Sequence, residues 1–445
     1  MDIENKKKQG FYAVLLLVVL FFHSCKEAVS VNGLPTITQT KNPTVKKLQF
    51  SLSDSALVTI RLQNLKRHKE QYLVSTKSKA HELLLAGLKP NETYALQILD
   101  GEKEIAVIDS FRTAPIEENI VSVYERVNTK KAFDGYVLTQ RRLVKGSVYM
   151  LDNESDLVWY QMVDGQPKLS RWTKDNEVLV LVGNARHNNS AGNRIVSYTI
   201  DGDITYQIDL SALGFVAHHE VLEHEDDVFT IVYDTIPNKV NGQLEKAVSS
   251  AVVRLNKEGE VLWKWSTFDI KNPVGISFED MDGDWGHANA LAFDDDGNLL
   301  ISYRDWSQIW KIDIKTGKRI WVLGEEGDFQ LEDLPFNSQH AIHKDPKGNY
   351  MLFNNGRKQR QTSVVSYKLE DNKAQTVVSI NLPDDLYADK MGNVETLPNG
   401  NYLVCSPRSR SILVLSPSGE ISYHINTGIP DPYRATFVPS FYIKN

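Results

Sequence analysis

Short apolar strands separated by Asp-Gly, Asn-Gly and Thr-Gly turns recur along this chain in six units of about 40 to 50 residues. They predict an all-β protein, a six-bladed β-propeller preceded by a small immunoglobulin/fibronectin-like β-sandwich. The clearest unit spans 284–324. Read at period two, it holds strands over 290–293, 299–303, 309–314 and 320–323. Four short antiparallel strands in about 40 residues is the size of one propeller blade. The other five units repeat its grammar: apolar strand, turn, apolar strand, polar connection, strand ending in Asp or Ser, short turn, final strand.

The 445 residues, 41% hydrophobic and 24% charged, have ordinary globular composition, which argues against disorder. A net charge of −7 gives no general attraction to nucleic acid, and no basic stripe with interleaved aromatics stands out. Two cysteines, Cys25 and Cys405, cannot define a disulfide framework.

Taken in order, MDIENKKKQG and FYAVLLLVVLFFHS read as the basic and apolar parts of a secretory signal. The apolar run is shorter than the roughly 20 residues of a comfortable membrane span. It ends in Phe-His-Ser-Cys, which resembles a relaxed lipobox with His23 in place of the usual small residue. Residues 1–25 are therefore expected to be a lipoprotein signal peptide, with Cys25 the lipidated first residue of the mature chain. An uncleaved N-terminal anchor is the alternative. Both place the protein outside the cytoplasm and tethered to a membrane, and the lipoprotein reading puts it on the periplasmic or cell-surface side of the outer membrane. Cys405 is expected to be a buried strand residue.

Residues 26–44, small, polar and Pro-containing, read as a linker. Residues 45–118 give the β-sandwich, with strands at 48–52, 57–62, 72–75, 81–85, 94–99 and 105–113. Leu88 and Tyr94 are expected to form the corner that pins a strand crossover. Residues 125–445 form the propeller, with an insertion near 235–246 at a hairpin tip. Trp159, Trp263, Trp310 and Trp321 are expected to pack between neighbouring blades.

With the first turns of the units in register, His219, Asn289, His340 and Gly392 fall at equivalent positions, eight residues before Asp227, Gly297, Gly348 and Gly400. His287 lies two residues before Asn289 and shares its face. In a propeller the innermost strand of each blade lines the channel, so polar residues repeated at its start converge on the axis. A single His at a strand end is usually a satisfied polar group, and His187, His224, His343 and His424 are assigned there. Histidines at equivalent starts of three successive blades are brought together by the repeat itself. Arg304, at the end of the next strand, is expected near His287. Asp294, Asp295 and Asp296 lack spaced ligands and read as a hairpin turn.

Several histidines, one Asn and one Arg, with few carboxylates, suit a tetrahedral oxyanion better than a metal cation. Arg offers a fork of donors to sulfate or phosphate oxygens, and a His can act as nucleophile or proton carrier. A His-metal site is the competing chemistry, but no HExxH or carboxylate cluster accompanies it.

These pieces resemble a family, the bacterial arylsulfate sulfotransferases. HHE at 218–220, GHAN at 286–289, ISYR at 301–304, TGKRIWVLG and GDF within 316–329, QHAIHKDPKGNYMLFNNG at 339–356, MGNVETLPNGN at 391–401 and Tyr433-Arg434-Ala435 match it in order. The likeness covers about 300 residues of the sequence, a size consistent with a full propeller. It implies nucleotide-independent transfer of a sulfuryl group from an aryl sulfate donor to a phenolic acceptor, with no cofactor and no metal. His340 would be the nucleophile, forming a sulfohistidine in a ping-pong cycle. His287, Asn289 and Arg304 would bind the sulfuryl oxygens, and His218 or His219 would complete that shell, alternation favouring His219. Tyr433 and Arg434 would close the ring near the site. The family's HHD is HHE here, and its disulfide-forming cysteines have no match. The resemblance also admits a homodimer. The alternatives are a non-catalytic surface propeller that binds sulfated or anionic glycans, and an aryl sulfate hydrolase.

Overall fold

Val178–Gly183 reads VLVLVG, and every one of its residues is buried. A continuous apolar run of this length is a strand covered on both faces. The computed structural model describes residues 29–116, 120, 125–128, 132–184, 190–278, 284–331, 335–428 and 432–442. Cys25 and His187 lie outside the described residues. Among those residues the helical elements are two single 3-10 turns, Thr267–Asp269 and Asp384–Leu386, and the rest of the regular structure is strand.

Two antiparallel sheets come first. One orders Val31–Gln39, Lys46–Ala56 and Ser78–Leu85, and the other Glu70–Val74, Thr59–Asn64, Thr93–Asp100 and Lys103–Arg112. They share one apolar core that includes Leu48, Leu52, Ile60, Leu62, Leu96 and Ile98. The expected corner is present: the Lys89 N–H donates to Tyr94 Oη at 2.8 Å, and Leu88 is buried beside it.

The expectation of a linker over 26–44 is corrected for its described part, because Val31–Gln39 pairs antiparallel with Lys46–Ala56. This is an edge strand, with Leu34 90% exposed. An edge strand needs one pairing partner and tolerates Pro35, so it lacks the apolar alternation that marks an inner strand.

Six four- or five-stranded sheets follow in chain order. The strand that begins the interior of each is Thr436–Val438, Gln166–Trp172, Ala217–His224, Ala288–Phe293, His340–Lys344 and Asn393–Thr396. The strands of successive sheets pack side by side at Gln166–Trp172 on Ala217–His224, Ala217–His224 on Ala288–Phe293, and Ala288–Phe293 on His340–Lys344. The two chain ends interlock. Thr436–Val438 pairs with Tyr136–Arg141 in the first sheet, and Glu125–Asn128 adds to the outer edge of the sixth. The Asn393 amide then joins sheet six to sheet one, donating to the Ala435 carbonyl at 2.7 Å while its oxygen accepts the Ala435 N–H at 2.9 Å.

Tryptophans seal adjacent sheets as expected. Trp159 is fully buried and donates to the Ile200 carbonyl at 2.8 Å, from sheet one to sheet two. Trp310 packs with Phe229, Ile231 and Val252 of sheet three. Truncating an interior Trp of this kind costs about 3–5 kcal/mol. Cys405 is buried and forms no disulfide among the described residues, and Asp294 is a turn residue that accepts Lys311 Nζ at 2.7 Å and Tyr350 Oη at 2.8 Å. The 235–246 insertion prolongs one hairpin, Asp227–Val240 with Gln243–Leu255, without breaking its register.

The N-terminal unit docks on sheet one through charge. Asp152, Glu154 and Asp156 sit together in one turn, with oxygens close enough to hold a cation. Lys89 pairs with Asp152 and Asp156, Arg67 with Asp156 at 2.6 Å, and Lys69 with Glu154. Those carboxylates are therefore already neutralised by the neighbouring unit.

Candidate active site

The innermost strands of sheets three, four and five share a distortion where they begin. Their pairing registers shift between His218 and Val221, between Ala288 and Ala290, and between His340 and His343. A bulge of this kind bends the strand and re-aims its side chains. His219, His287, Ala341 and Met391 also take positive φ, at 62°, 52°, 58° and 63°. Non-glycine residues adopt that region at a cost, and it clusters at functional sites.

The bulges bring His218, His219 and His287 into one line. His218 Nδ1 lies 2.7 Å from His219 Nδ1, and His219 Nε2 lies 3.1 Å from His287 Nε2. His287 Nδ1 is 2.8 Å from Asp284 Oδ1, and the other Asp284 oxygen accepts Ser250 Oγ at 2.8 Å. One set of neutral tautomers satisfies the whole line. His218 donates to His219, His219 donates to His287, and His287 donates to Asp284. Ser190 Oγ, 3.1 Å from His219 Nε2, completes that ring's surroundings.

His340 stands apart from this line and is oriented separately. Its Nδ1 is 2.6 Å from Asn355 Oδ1. The Asn355 amide nitrogen donates to the carbonyls of Ala388 and Met391 at 2.7 and 3.0 Å, which fixes which end of the amide faces the histidine. Nδ1 therefore carries the proton and Nε2 the lone pair. Among the described residues, a long 3.3 Å bond from the Met391 N–H is the one that reaches Nε2.

Burial is the main force on these imidazoles. It pushes His218 down to about 4. It holds His219 well below the ordinary histidine value, with His287, His218, His340 and Arg304 acting in the same direction. For His340 burial again leads; the Asn355 bond opposes it, while Arg304 and Arg434 reinforce it, leaving the value well below ordinary. Burial would raise the Asp284 carboxyl, but the His287 hydrogen bond, with the His218 and His287 charges and Ser250, brings it down to about 2.

Arg304 lies at the turn expected of it. Its backbone N–H donates to the His287 carbonyl at 3.1 Å, and its Nε and Nη2 meet the two Asp305 oxygens at 2.7 and 3.2 Å. With those two nitrogens on Asp305, Nη1 is left without a hydrogen bond among the described residues. Asn289, expected as an oxyanion donor, is fully buried, and its amide nitrogen donates to the Gln339 carbonyl at 2.7 Å. The geometry makes it a clamp on the residue preceding His340. Glu220 lies behind the site, fully buried between Arg171, at 2.8 Å, and Arg434. Burial would raise its carboxyl, and the two guanidiniums outweigh that and hold it below the ordinary range. Arg434 Nη2 also donates to the Asn289 carbonyl at 3.2 Å.

Sequence reasoning missed four contributors. Asp284 and Asn355 orient histidines, and neither stands at a position the repeat makes equivalent. Arg142 ends a strand of sheet one, 3.6 Å from Met391 Sδ and 5.4 Å from the Tyr433 ring centre. Lys168 begins the interior strand of sheet two; burial, then the Arg142 charge, lowers it to about 8. The expected structural histidines fall elsewhere. His224 stacks on Phe293 at 3.6 Å, and His424 lies 2.9 Å from Ser411 Oγ. His343 borders a separate cavity of about 250 Å³ at the far ends of the inner strands, with Arg171, Glu395 and Arg434.

A family model described as Arylsulfotransferase (ASST) matches residues 120–422. No curated protein matches the chain. Among solved structures, a protein of unknown function from Bacteroides caccae is 13% identical, covering 69% of this chain and 100% of its own, with a TM-score of 0.42. A periplasmic gluconolactonase from Pseudomonas aeruginosa is 12% identical, covering 86% and 99%, with a TM-score of 0.40. Virginiamycin B lyase from Staphylococcus aureus is 11% identical, covering 68% and 88%, with a TM-score of 0.36.

Proposed function

Because the chain belongs to the arylsulfotransferase family, we propose that it moves a sulfuryl group from an aryl sulfate to a phenol through a covalent intermediate on His340. The observation that carries this reading is the state of that imidazole. It is neutral through burial, its Nδ1 proton is held by Asn355, and its Nε2 lone pair is directed away from that bond. Nε2 attacks sulfur, the S–O bond to the aryl group breaks, and the electron pair leaves on the phenolic oxygen. The acceptor phenol then attacks the sulfohistidine sulfur, the N–S bond breaks, and the imidazole recovers its lone pair. With the His219 Nε2 proton turned to Ser190 Oγ, His287 Nε2 is open to take the acceptor's proton while Nδ1 stays on Asp284, and it returns that proton to the departing phenolate in the other half-cycle. Arg304 supports the sulfuryl charge through Nη1.

In the same reading the six consecutive sheets are the blades of a propeller. The two N-terminal sheets are a β-sandwich that begins at Val31. Residues 1–25 are a signal peptide, and Cys25 carries the lipid that tethers the protein to the outer membrane. A homodimer belongs to the same proposal.

Mass spectrometry of the protein mixed with a chromogenic aryl sulfate tests the reading, with a sulfuryl adduct expected on His340. Phenol release that is absent, or equal in wild type and His340→Ala, would leave a glycan-binding propeller as the better account. Release unchanged by added phenol, with no sulfated product, would point to a hydrolase.

A further inference from the structure

Tyr433 is 1% exposed, and its hydroxyl has no hydrogen-bond partner among the described residues. A buried hydroxyl without a partner loses about 1–3 kcal/mol relative to one that has found an acceptor. Its neighbours belong to the site. The ring centre is 6.2 Å from that of His219, and the Arg304 charge acts on the phenol. Arg142 and Arg434 stand over the ring at 5.4 and 5.6 Å. Cations over an aromatic face withdraw electron density and make the O–H a stronger donor. Burial nonetheless raises the phenol to about 12, so the group keeps its proton at neutral pH.

From these relations we propose that the Tyr433 hydroxyl donates a hydrogen bond to the phenolic oxygen of the substrate, the atom on which negative charge builds as the S–O bond breaks. This rests on the sulfuryl-transfer reading above and adds a catalytic residue to it. Tyr433 keeps its own proton throughout. As His340 Nε2 bonds to sulfur and the S–O electron pair moves onto the phenolic oxygen, the hydrogen bond shortens. In the return half-cycle the same bond holds the acceptor oxygen in line with sulfur. A donor aimed at developing charge accelerates the reaction more than one that binds ground-state charge. The benefit therefore grows as the departing phenol becomes less acidic.

The test compares wild type with Tyr433→Phe on aryl sulfates whose phenols span a range of acidity, with thermal unfolding measured alongside. The expected loss in kcat/KM is about 100-fold for the least acidic phenols and only a few-fold for nitrophenols, with Tm unchanged or raised because an unpaired buried hydroxyl has been removed. An equal loss across the series would place the donor on the sulfuryl oxygens and overturn the assignment. An unchanged kcat/KM would overturn it as well. A fall in Tm with a uniform loss would make Tyr433 a packing residue. If wild type turns over none of the aryl sulfates, the transferase reading fails, and this assignment fails with it. Turnover by wild type with an unaffected variant removes this assignment alone.

Discussion

His340 Nδ1 and Asn355 Oδ1 are 2.6 Å apart, joining the open end of the hairpin formed by His340–Lys344 and Tyr350–Asn354 in sheet five. That bond selects the tautomer, and the tautomer decides which nitrogen can attack. Asn355→Ala frees the ring to rotate and to exchange its proton between nitrogens. It should lower kcat about 10- to 100-fold with little change in KM, because ground-state binding does not use the bond. Steady-state kinetics on a chromogenic aryl sulfate reads both constants.

Asp284 holds the Nδ1 proton of His287, and Asp284→Asn reverses or weakens that hold. The fall in kcat should be on the order of 100-fold or more, the range seen when a positioned acid–base group is lost. The sulfuryl adduct on His340 should still form from nitrophenyl sulfate, whose departing phenolate needs no proton. Rapid-quench mass spectrometry separates the two half-reactions.

Glu220→Gln leaves Arg171 and Arg434 facing each other in a buried place without their shared carboxylate. Breaking a buried pair by removing one partner costs about 3–5 kcal/mol. The midpoint of urea unfolding should fall accordingly, and the variant should lose stability before it loses any catalytic group. A variant as stable as wild type would show that the pair carries little of the fold.

Acidity acts on stability before it acts on chemistry. The folded imidazoles of His218, His219 and His340 take up protons below the unfolded value of about 6.5. Between that value and about 4, where His218 titrates in the fold, the unfolded chain binds protons that the native protein refuses. Stability should therefore fall as pH drops through this window, by up to about 1.4 kcal/mol per pH unit for each histidine. His340 is held well below the ordinary histidine value by burial, so its protonation should give kcat/KM no acid limb near 6.5. On the alkaline side Lys168 loses its charge near 8, and KM for an aryl sulfate should rise above that pH. In Lys168→Arg the rise should disappear.

The repeat made much of this architecture readable. Six turn-punctuated units put His219, Asn289 and His340 at equivalent strand starts, with His287 two residues before Asn289, and the innermost strands that carry them pack side by side. What periodicity could not carry was set by local departures from it. A bulge at the strand start turned the Asn289 amide onto the Gln339 carbonyl. Asn355 and Asp284 reach their histidines through turns whose conformations no alternation records. Arg142 and Lys168 belong to sheets one and two, whose starts carry no histidine to mark them. Val31–Gln39 escaped notice because an edge strand shows little apolar pattern, and nothing in the HHE run announced that Glu220 is buried between Arg171 and Arg434.

The closing strand adds a constraint of timing. Thr139 Oγ1 donates to the Arg434 carbonyl across 295 residues of sequence, and Thr436–Val438 completes the first sheet. A growing chain can assemble sheets two to five as they emerge, since all of their strands lie between Gln166 and Asn381. Sheet one, the Glu220–Arg434 pair and the Tyr433 hydroxyl must all await the same late stretch of synthesis. A reactive imidazole is therefore not matched with its full set of partners in a partly made molecule. Premature termination before Tyr433 would yield an open ring with an exposed seam, a species suited to recognition by proteases. Catalytic competence and a closed circumference arrive together.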